Sequence, residues 1–280
     1  MHARRQFFEQ DTGDPSVFFL PVTIVPMDLL ILSIASLLAG FVDSIVGGGG
    51  LILVPALFAV APTAHPATLL GINKGAAMGG TTFATWRYGR HVDYRWNSLL
   101  PAALAGFAAS LLGAWLVTRL SPGFLRQMMP FLLLGVLVYT LAKKDMGNQH
   151  APTLSGRAEA VVAAGFAAVV GLYDGFFGPG AGSFFVFAFV RLLGYDFLHA
   201  SASAKVLNMA TNLAALAVFI SMGHIWWHYV GVMLVANVVG SLLGTQLALK
   251  HGTGFVRAAF IAVVVCLILK TGYDAYFKVV

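Results

Sequence analysis

Residues 40–50 read GFVDSIVGGGG, an aspartate and then four consecutive glycines closing a run of Leu, Ile and Ala. A charge deep in a bilayer costs several kcal/mol, and glycine is a poor helix former. Neither belongs in an ordinary membrane span, so the surroundings of this stretch decide the fold.

Those surroundings are strongly apolar. Of 280 residues, 59% are hydrophobic and 10% charged, and the mean hydropathy is +0.83, far from the balance of a soluble domain. Apolar windows long enough for a helix to cross about 30 Å of hydrocarbon recur along the chain. They fall near 28–46, 68–88, 97–118, 124–142, 159–177, 201–221, 228–249 and 255–272, with shorter ones at 51–61 and 182–193. Period-two alternation is missing, which argues against a β-barrel. The reading is an all-α polytopic membrane protein embedded in a lipid bilayer.

The net charge is +6, but the basic residues sit between apolar segments, as in RYGRHVDYR (87–95). That is the pattern of topology-setting and headgroup-facing cations, so no nucleic-acid partner follows. The single cysteine, Cys266, excludes an intramolecular disulfide. No HExxH or comparable spacing occurs among the histidines, so neither a metal nor any other cofactor is expected.

Sliding the chain against itself by 131 residues pairs Gly40 with Gly171, Asp43 with Asp174, Gly47 with Gly178 and Gly49 with Gly180. The same offset pairs Lys74 with Lys205, Met78 with Met209, Trp96 with Trp227, and SLLG at 110–113 with SLLG at 241–244. The expectation is therefore two tandem homologous repeats of about four transmembrane segments each, with Gly-broken helices. The organisation is a polar amino-terminal tail (1–27), a first repeat (28–142), a polar linker (143–157) and a second repeat (158–280). Whether the repeats are parallel or inverted depends on whether each Gly-interrupted segment crosses once or doubles back. Counting Lys and Arg favours a single crossing, with eight crossings in all and both termini cytoplasmic.

Four ionisable groups lie well inside apolar segments: Asp43, Lys74, Asp174 and Lys205. Such groups normally face a partner or a water-filled pathway; the plainer reading is a buried Asp–Lys pair that pins helices together. Lys74 lies about 12 Å into a helix starting near Pro66, too deep to reach the interface easily. Ser201, Lys205, Asn208 and Asn212 are spaced to share one helix face, and Asn73, Lys74, Thr81 and Thr85 form a looser version. The Asn and Thr side chains read equally well as hydrogen-bonding glue between helices.

The clusters GGGG (47–50) and GPGAG (178–182) break the first helix of each repeat, and unwound backbone at membrane depth is tolerated only where protein or a cavity satisfies it. A helix restarting after each break offers its amino terminus to an anion, with Ser183 as a cap or ligand donor. Broken helices at matching places in two repeats point to a transporter's binding site. The expected site comprises Lys74, Lys205, Asn73, Asn208, Asn212, Ser183, Thr81, Gly48, Gly49, Gly50, Gly180 and Gly182. The cargo is a small anion. Asp43 and Asp174 serve either as proton-coupling groups or as counter-charges to the lysines. The runner-up is an anion channel or passive pore. An intramembrane enzyme would need a nucleophile–base pair or metal site that the sequence does not offer.

These motifs carry a family resemblance. GFVDSIVGGGGLILVPAL, GINKGAAMGG, YDGFFGPGAGSFFVF and ASASAKVLNMATNLAAL resemble the TauE/SafE sulfite exporter family, also called the toluene sulfonate uptake permeases. The resemblance runs from about residue 28 to 275. It implies a multi-pass inner-membrane secondary transporter of sulfur-containing anions such as sulfite or sulfoacetate; protons as the coupling ion are the expectation from Asp43 and Asp174, and homo-oligomerisation is left open. Here the second copy has Ala204 where the first has Asn73, and Pro179 where the first has Gly48, so the implied site is asymmetric.

Overall fold

The computed structural model describes residues 26–121, 123–124 and 151–277. Eight helices and no strand occur among them. They are α1 (Pro26–Val46), α2 (Gly50–Val60), α3 (Pro66–Tyr88), α4 (Trp96–Arg119), α5 (Gly156–Phe176), α6 (Ala181–Leu193), α7 (Phe197–Ser221) and α8 (Trp227–Phe277). α8 is interrupted at Gly252, whose φ of 68° and ψ of −159° are not helical. The expected tail up to residue 25 and most of the expected span at 124–142 lie outside the described residues, as does the linker up to residue 150. The rest of that linker is stitched to the α6–α7 loop by Ala151 N–H to Gly194 O (3.0 Å) and Thr153 N–H to Leu193 O (3.1 Å).

Among the described residues, five helices are long and apolar enough to cross a membrane: Met27–Val46, Trp96–Arg119, Gly156–Phe176, Phe197–Ser221 and Trp227–Gly252. α3 has comparable length, but its Gly, Asn, Lys and Thr content lowers its hydropathy. It lies inside the bundle, with a run from Pro66 through Ala76 buried. The apolar surface is turned outward instead by Leu30, Ile34 and Leu38 of α1, Leu104 and Leu112 of α4, and Val161 and Val169 of α5. Large exposed apolar side chains of this kind suit a lipid solvent, where facing outward carries no hydrophobic cost.

The chain reverses at both glycine breaks. Gly49 lies so close to α1 that a Cβ there would stand 2.7 Å from Ala39 O and 2.8 Å from Asp43 Cβ. Three residues after α1 ends, the backbone has already returned beside its penultimate turns. α6 likewise folds back on α5, bringing the Phe166 and Phe189 rings to 5.1 Å. This corrects the expectation of a single crossing. α2 and α6, at 11 and 13 residues, would each be about 16–20 Å long, too short to span, and they are the return arms of helical hairpins. The positive φ that each reversal demands is supplied by Gly47 (80°) and by Gly178 and Gly180 (94° and 82°), a region where a side chain is strained.

Small residues set the remaining registers. Gly40 and Gly240 bring the α1 and α8 backbones together, through Asn237 and Leu37 respectively, and Ser36 Oγ donates to Met233 O at 2.6 Å. Gly106, Gly113, Gly171 and Gly175 do the same between α4 and α5. In both cases contacts advance together along the two helices, so α1 runs parallel to α8 and α4 parallel to α5. α3 is antiparallel to α7, since Ala67 and Leu70 share a buried cluster with Ala215 and Phe219 while Lys74 meets Asn212. α1, α3 and α8 therefore point one way and α4, α5 and α7 the other. The face where α1 begins also holds the α7–α8 loop. The opposite face holds the α3–α4 and α6–α7 loops, with Tyr88, Val92, Leu193 and Tyr195 in one cluster.

Candidate functional site

The two reversals meet tip to tip. A Cβ on Gly47 would fall on the Gly182 backbone, and one on Gly182 would fall on the Gly47 carbonyl and 2.6 Å from Asn208 Nδ2. A Cβ on Gly50 would come within 3.1 Å of Pro179 Cα. Glycine is thus required for the backbones to touch as well as to turn. Ser183 sits at this seam, its N–H donating to Gly47 O at 3.0 Å and its hydroxyl to Val46 O at 3.1 Å. α6 starts at Ala181 rather than Ser183, and Gly180 is its N-cap with no side-chain capping bond. The Ser183 hydroxyl ties α6 to the end of α1. Gly48 makes only a local turn bond at the start of α2, its carbonyl accepting from Leu51 N–H at 3.0 Å.

The four intramembrane charges lie around this seam and pair crosswise. Lys74 Nζ is 2.7 Å from Asp174 Oδ1, and Lys205 Nζ is 3.0 Å from Asp43 Oδ2. The lysine of each half thus answers the aspartate of the other. Lys74 also donates to Asn212 Oδ1 at 3.0 Å, while Asp43 Oδ1 accepts a long bond from Gly49 N–H at 3.4 Å. The Lys205 side chain is fully buried and Asp43 keeps 18% of its exposure. Two cations and two anions leave the group formally neutral, which is how such charges are tolerated at this depth.

A cavity of about 30 Å³, taken as the space open to a water's centre, lies against this group. It has room for about two waters. Of the residues expected from the sequence, Lys74, Asn73, Asn208, Asn212, Gly49, Gly50, Gly180 and Gly182 line it, together with Asp43 and Asp174. Lys205, Thr81, Ser183 and Gly48 do not. Thr81, though buried, has a hydroxyl without a hydrogen-bond partner among the described residues. Sequence reading missed Asn237, which lines the cavity and donates from Nδ2 to Ser36 O at 3.1 Å. A lone Asn in the middle of an apolar window is the available signal, and the repeat does not reinforce it, because its counterpart at the offset is Gly106.

A second polar cluster joins the loops at the opposite face. Glu159, buried at the start of α5, accepts from Arg95 at 2.7 Å and from the Tyr195 hydroxyl at 2.6 Å. Burial, and then the Glu159 hydrogen bond, push the Tyr195 phenol well above its ordinary range, so it stays a donor. No group of three or more His, Cys, Asp or Glu side chains arranged to hold a metal occurs among the described residues.

An aspartate and a lysine from each of two helical hairpins and their neighbours, buried around a polar cavity, make an arrangement suited to moving a solute. The chain matches the family "Sulfite exporter TauE/SafE" over residues 32–271. It belongs to that family. It is 36% identical over 254 residues to the "Probable membrane transporter protein YfcA" of Escherichia coli (strain K12), covering 90% of this chain and 93% of that one. It is also 36% identical over 245 residues to the "Probable membrane transporter protein ORF9" of Sinorhizobium sp, with 86% and 91% covered. A "Probable membrane transporter protein" of Haemophilus influenzae is 34% identical over 252 residues, with 89% and 97% covered. No solved structure matches the chain significantly. This TauE/SafE member is a membrane-embedded transporter, and its family gives no positive sign of enzymatic activity.

Proposed function

We propose that this TauE/SafE protein is a proton-coupled secondary transporter of small sulfur-containing anions, sulfite or an organosulfonate such as sulfoacetate. The observation that carries the reading is the crossed pairing of Lys74 with Asp174 and Lys205 with Asp43 beside a polar cavity. With both lysines engaged, an anion gains their charge only by displacing a carboxylate. Displacing an ionised carboxylate leaves it buried and unpaired, at a cost of several kcal/mol; a proton on the carboxylate removes that cost. Anion and proton then enter together. Asn73, Asn208, Asn212 and Asn237 provide hydrogen-bond donors for the anion's oxygens. The cavity is too small for a whole organosulfonate, so occupancy requires the hairpin tips to part.

The helix directions fit two inverted repeats, because α1 and its counterpart α5 start at opposite faces while each half's fourth helix packs on the other half's first. In inverted repeats, alternating access arises when one repeat rocks against the other around the site between them. Among the Lys and Arg whose side chains are described, Arg87, Arg90, Arg95, Arg157, Arg191 and Lys250 lie at the α3–α4 face, against Arg119 at the other. By the positive-inside rule, the α3–α4 face is cytoplasmic in an inner membrane and the start of α1 faces outward. This reverses the cytoplasmic placement of the amino terminus that a single crossing implied.

Uptake of labelled sulfite and sulfoacetate into proteoliposomes, with and without an imposed pH gradient, tests the function. Gradient-dependent accumulation by the wild type, lost in Lys74→Ala and in Lys205→Ala with normal membrane insertion, is expected. Full activity in both variants would remove the lysines from the site, and movement of neither anion by the wild type would remove the proposed cargo. Saturable accumulation against a gradient separates a transporter from a passive pore.

A further inference from the structure

The two crossed ion pairs are related by the repeat offset but are not alike. Both Asp43 oxygens are engaged, Oδ2 by Lys205 and Oδ1 by the Gly49 amide. Asp174 uses only Oδ1, on Lys74; its Oδ2 is buried and accepts no hydrogen bond among the described residues. The backbone explains the difference. Gly49 adopts a right-handed conformation (φ −56°, ψ −41°) that turns its N–H toward Asp43. Its counterpart Gly180 is left-handed (φ 82°, ψ −5°) and no such bond reaches Asp174. Pro179, in place of Gly48, is part of that altered turn, and its carbonyl accepts the Tyr173 hydroxyl at 2.6 Å.

The lysines differ in the same sense. Lys74 has a second acceptor in Asn212 and lines the cavity, so it stays hydrogen-bonded if Asp174 leaves it. The counterpart of Asn212 is Thr81, whose hydroxyl makes no bond to Lys205. Lys205, fully buried, has Asp43 as its hydrogen-bond partner, and parting them would strand a charge away from water.

We infer that the pairs have divided labour: Asp174 is the residue that takes up and releases the transported proton, and Lys74 is the lysine it yields to the anion, while Asp43 and Lys205 remain a fixed strut. The inference deepens the proton-coupled reading above and rests on it for its transport consequences. In the step, a proton from solution bonds to the free Oδ2 lone pair of Asp174, the carboxylate becomes a neutral acid, and its ionic hold on Lys74 ends. The anion then takes the place of the carboxylate charge. The charged and titratable groups around Asp174 are Lys74 on α3, Lys205 on α7, Asp43 on α1 and Tyr173 on its own helix. α2 carries no ionisable side chain, and those of α4 and α6, Arg119 and Arg191, lie near the helix ends.

The test combines pH-difference infrared spectra of the purified protein in lipid with sulfite flux. A protonated-carboxyl C=O band that titrates in the wild type, vanishes in Asp174→Asn and survives in Asp43→Asn is expected. Loss of the band in Asp43→Asn, or its persistence in Asp174→Asn, would overturn the assignment. If Asp174→Asn does not fold, Asp174→Glu replaces it: a shifted band supports the assignment and an unshifted one refutes it. In flux, Asp174→Asn is expected to exchange sulfite across vesicles at equal pH while losing at least tenfold of gradient-driven accumulation; wild-type accumulation in that variant overturns the inference. A wild type that shows the Asp174 band but moves no sulfite or sulfoacetate would sink the cargo reading and leave the proton assignment supported.

Discussion

The crossing of the ion pairs can be tested energetically through Lys205 and Asp43. Lys205 is fully buried at 3.0 Å from Asp43 Oδ2, and Asp43 retains 18% of its exposure. Removing one partner of a buried pair typically costs 3–5 kcal/mol, because the other is left uncompensated; the partial exposure of Asp43 argues for the lower end, about 3 kcal/mol. Lys205→Met should lose about that much unfolding free energy and Asp43→Asn, which strands the fully buried Lys205, somewhat more, measured by denaturant titration in mixed micelles. The double variant should lose little more than either single one, giving a coupling of about 2–3 kcal/mol. Lys205→Met combined with Asp174→Asn, the pairing within one half, should be additive to within about 1 kcal/mol, since Asp174 already belongs to Lys74. Coupling between Lys205 and Asp174 in place of Asp43, or a cycle that closes near zero, would refute the crossed arrangement.

Gly47→Ala should abolish the folded, monodisperse protein in gel filtration, because it meets both a positive φ and the Gly182 backbone. Gly231→Ala, where a Cβ meets nothing within 4 Å, should leave folding unchanged or improve it by about 0.5–1 kcal/mol. In a Cys266→Ala background, a cysteine at Asp93 should be shielded from impermeant maleimide in intact cells and one at Ser121 labelled; the reverse would invert the proposed orientation. The Tyr94 and Tyr195 phenols, both raised by burial, contribute stability that is complete below about pH 10 and lost as pH rises toward their folded values. Tyr195→Phe, although it gives up the Glu159 hydrogen bond, should therefore show a shallower alkaline fall in thermal stability than the wild type.

Helix positions were largely legible because apolar run length and glycine breaks are local signals: α2, α3 and α4 lie within two residues of the windows read from hydropathy. The lining of the cavity by Lys74, Asn73, Asn208 and Asn212 was legible for a related reason, since polar groups at helical spacing in an apolar run must face inward. The reversal at Gly47–Gly49 was not. Four glycines are compatible with a straight break or a hairpin, and the choice is made by backbone contacts with Ala39 and Gly182 that are distant in sequence. The charge count followed the wrong alternative for the same reason. Nor could the offset alignment show that each lysine meets the other half's aspartate, because correspondence between copies says nothing about contact. The different duties inferred for Asp43 and Asp174 hang on the conformations of Gly49 and Gly180, which the shared glycine concealed.

The most direct measurement is equilibrium binding of labelled sulfoacetate to the purified protein between about pH 6 and 8, where the ligand's own charge is constant. If the anion competes with a carboxylate for Lys74, affinity should rise about tenfold for each unit the pH falls while the carboxylate is mostly ionised, and Lys74→Gln should lose it. Affinity that is flat across this range, or that survives Lys74→Gln, would contradict the account.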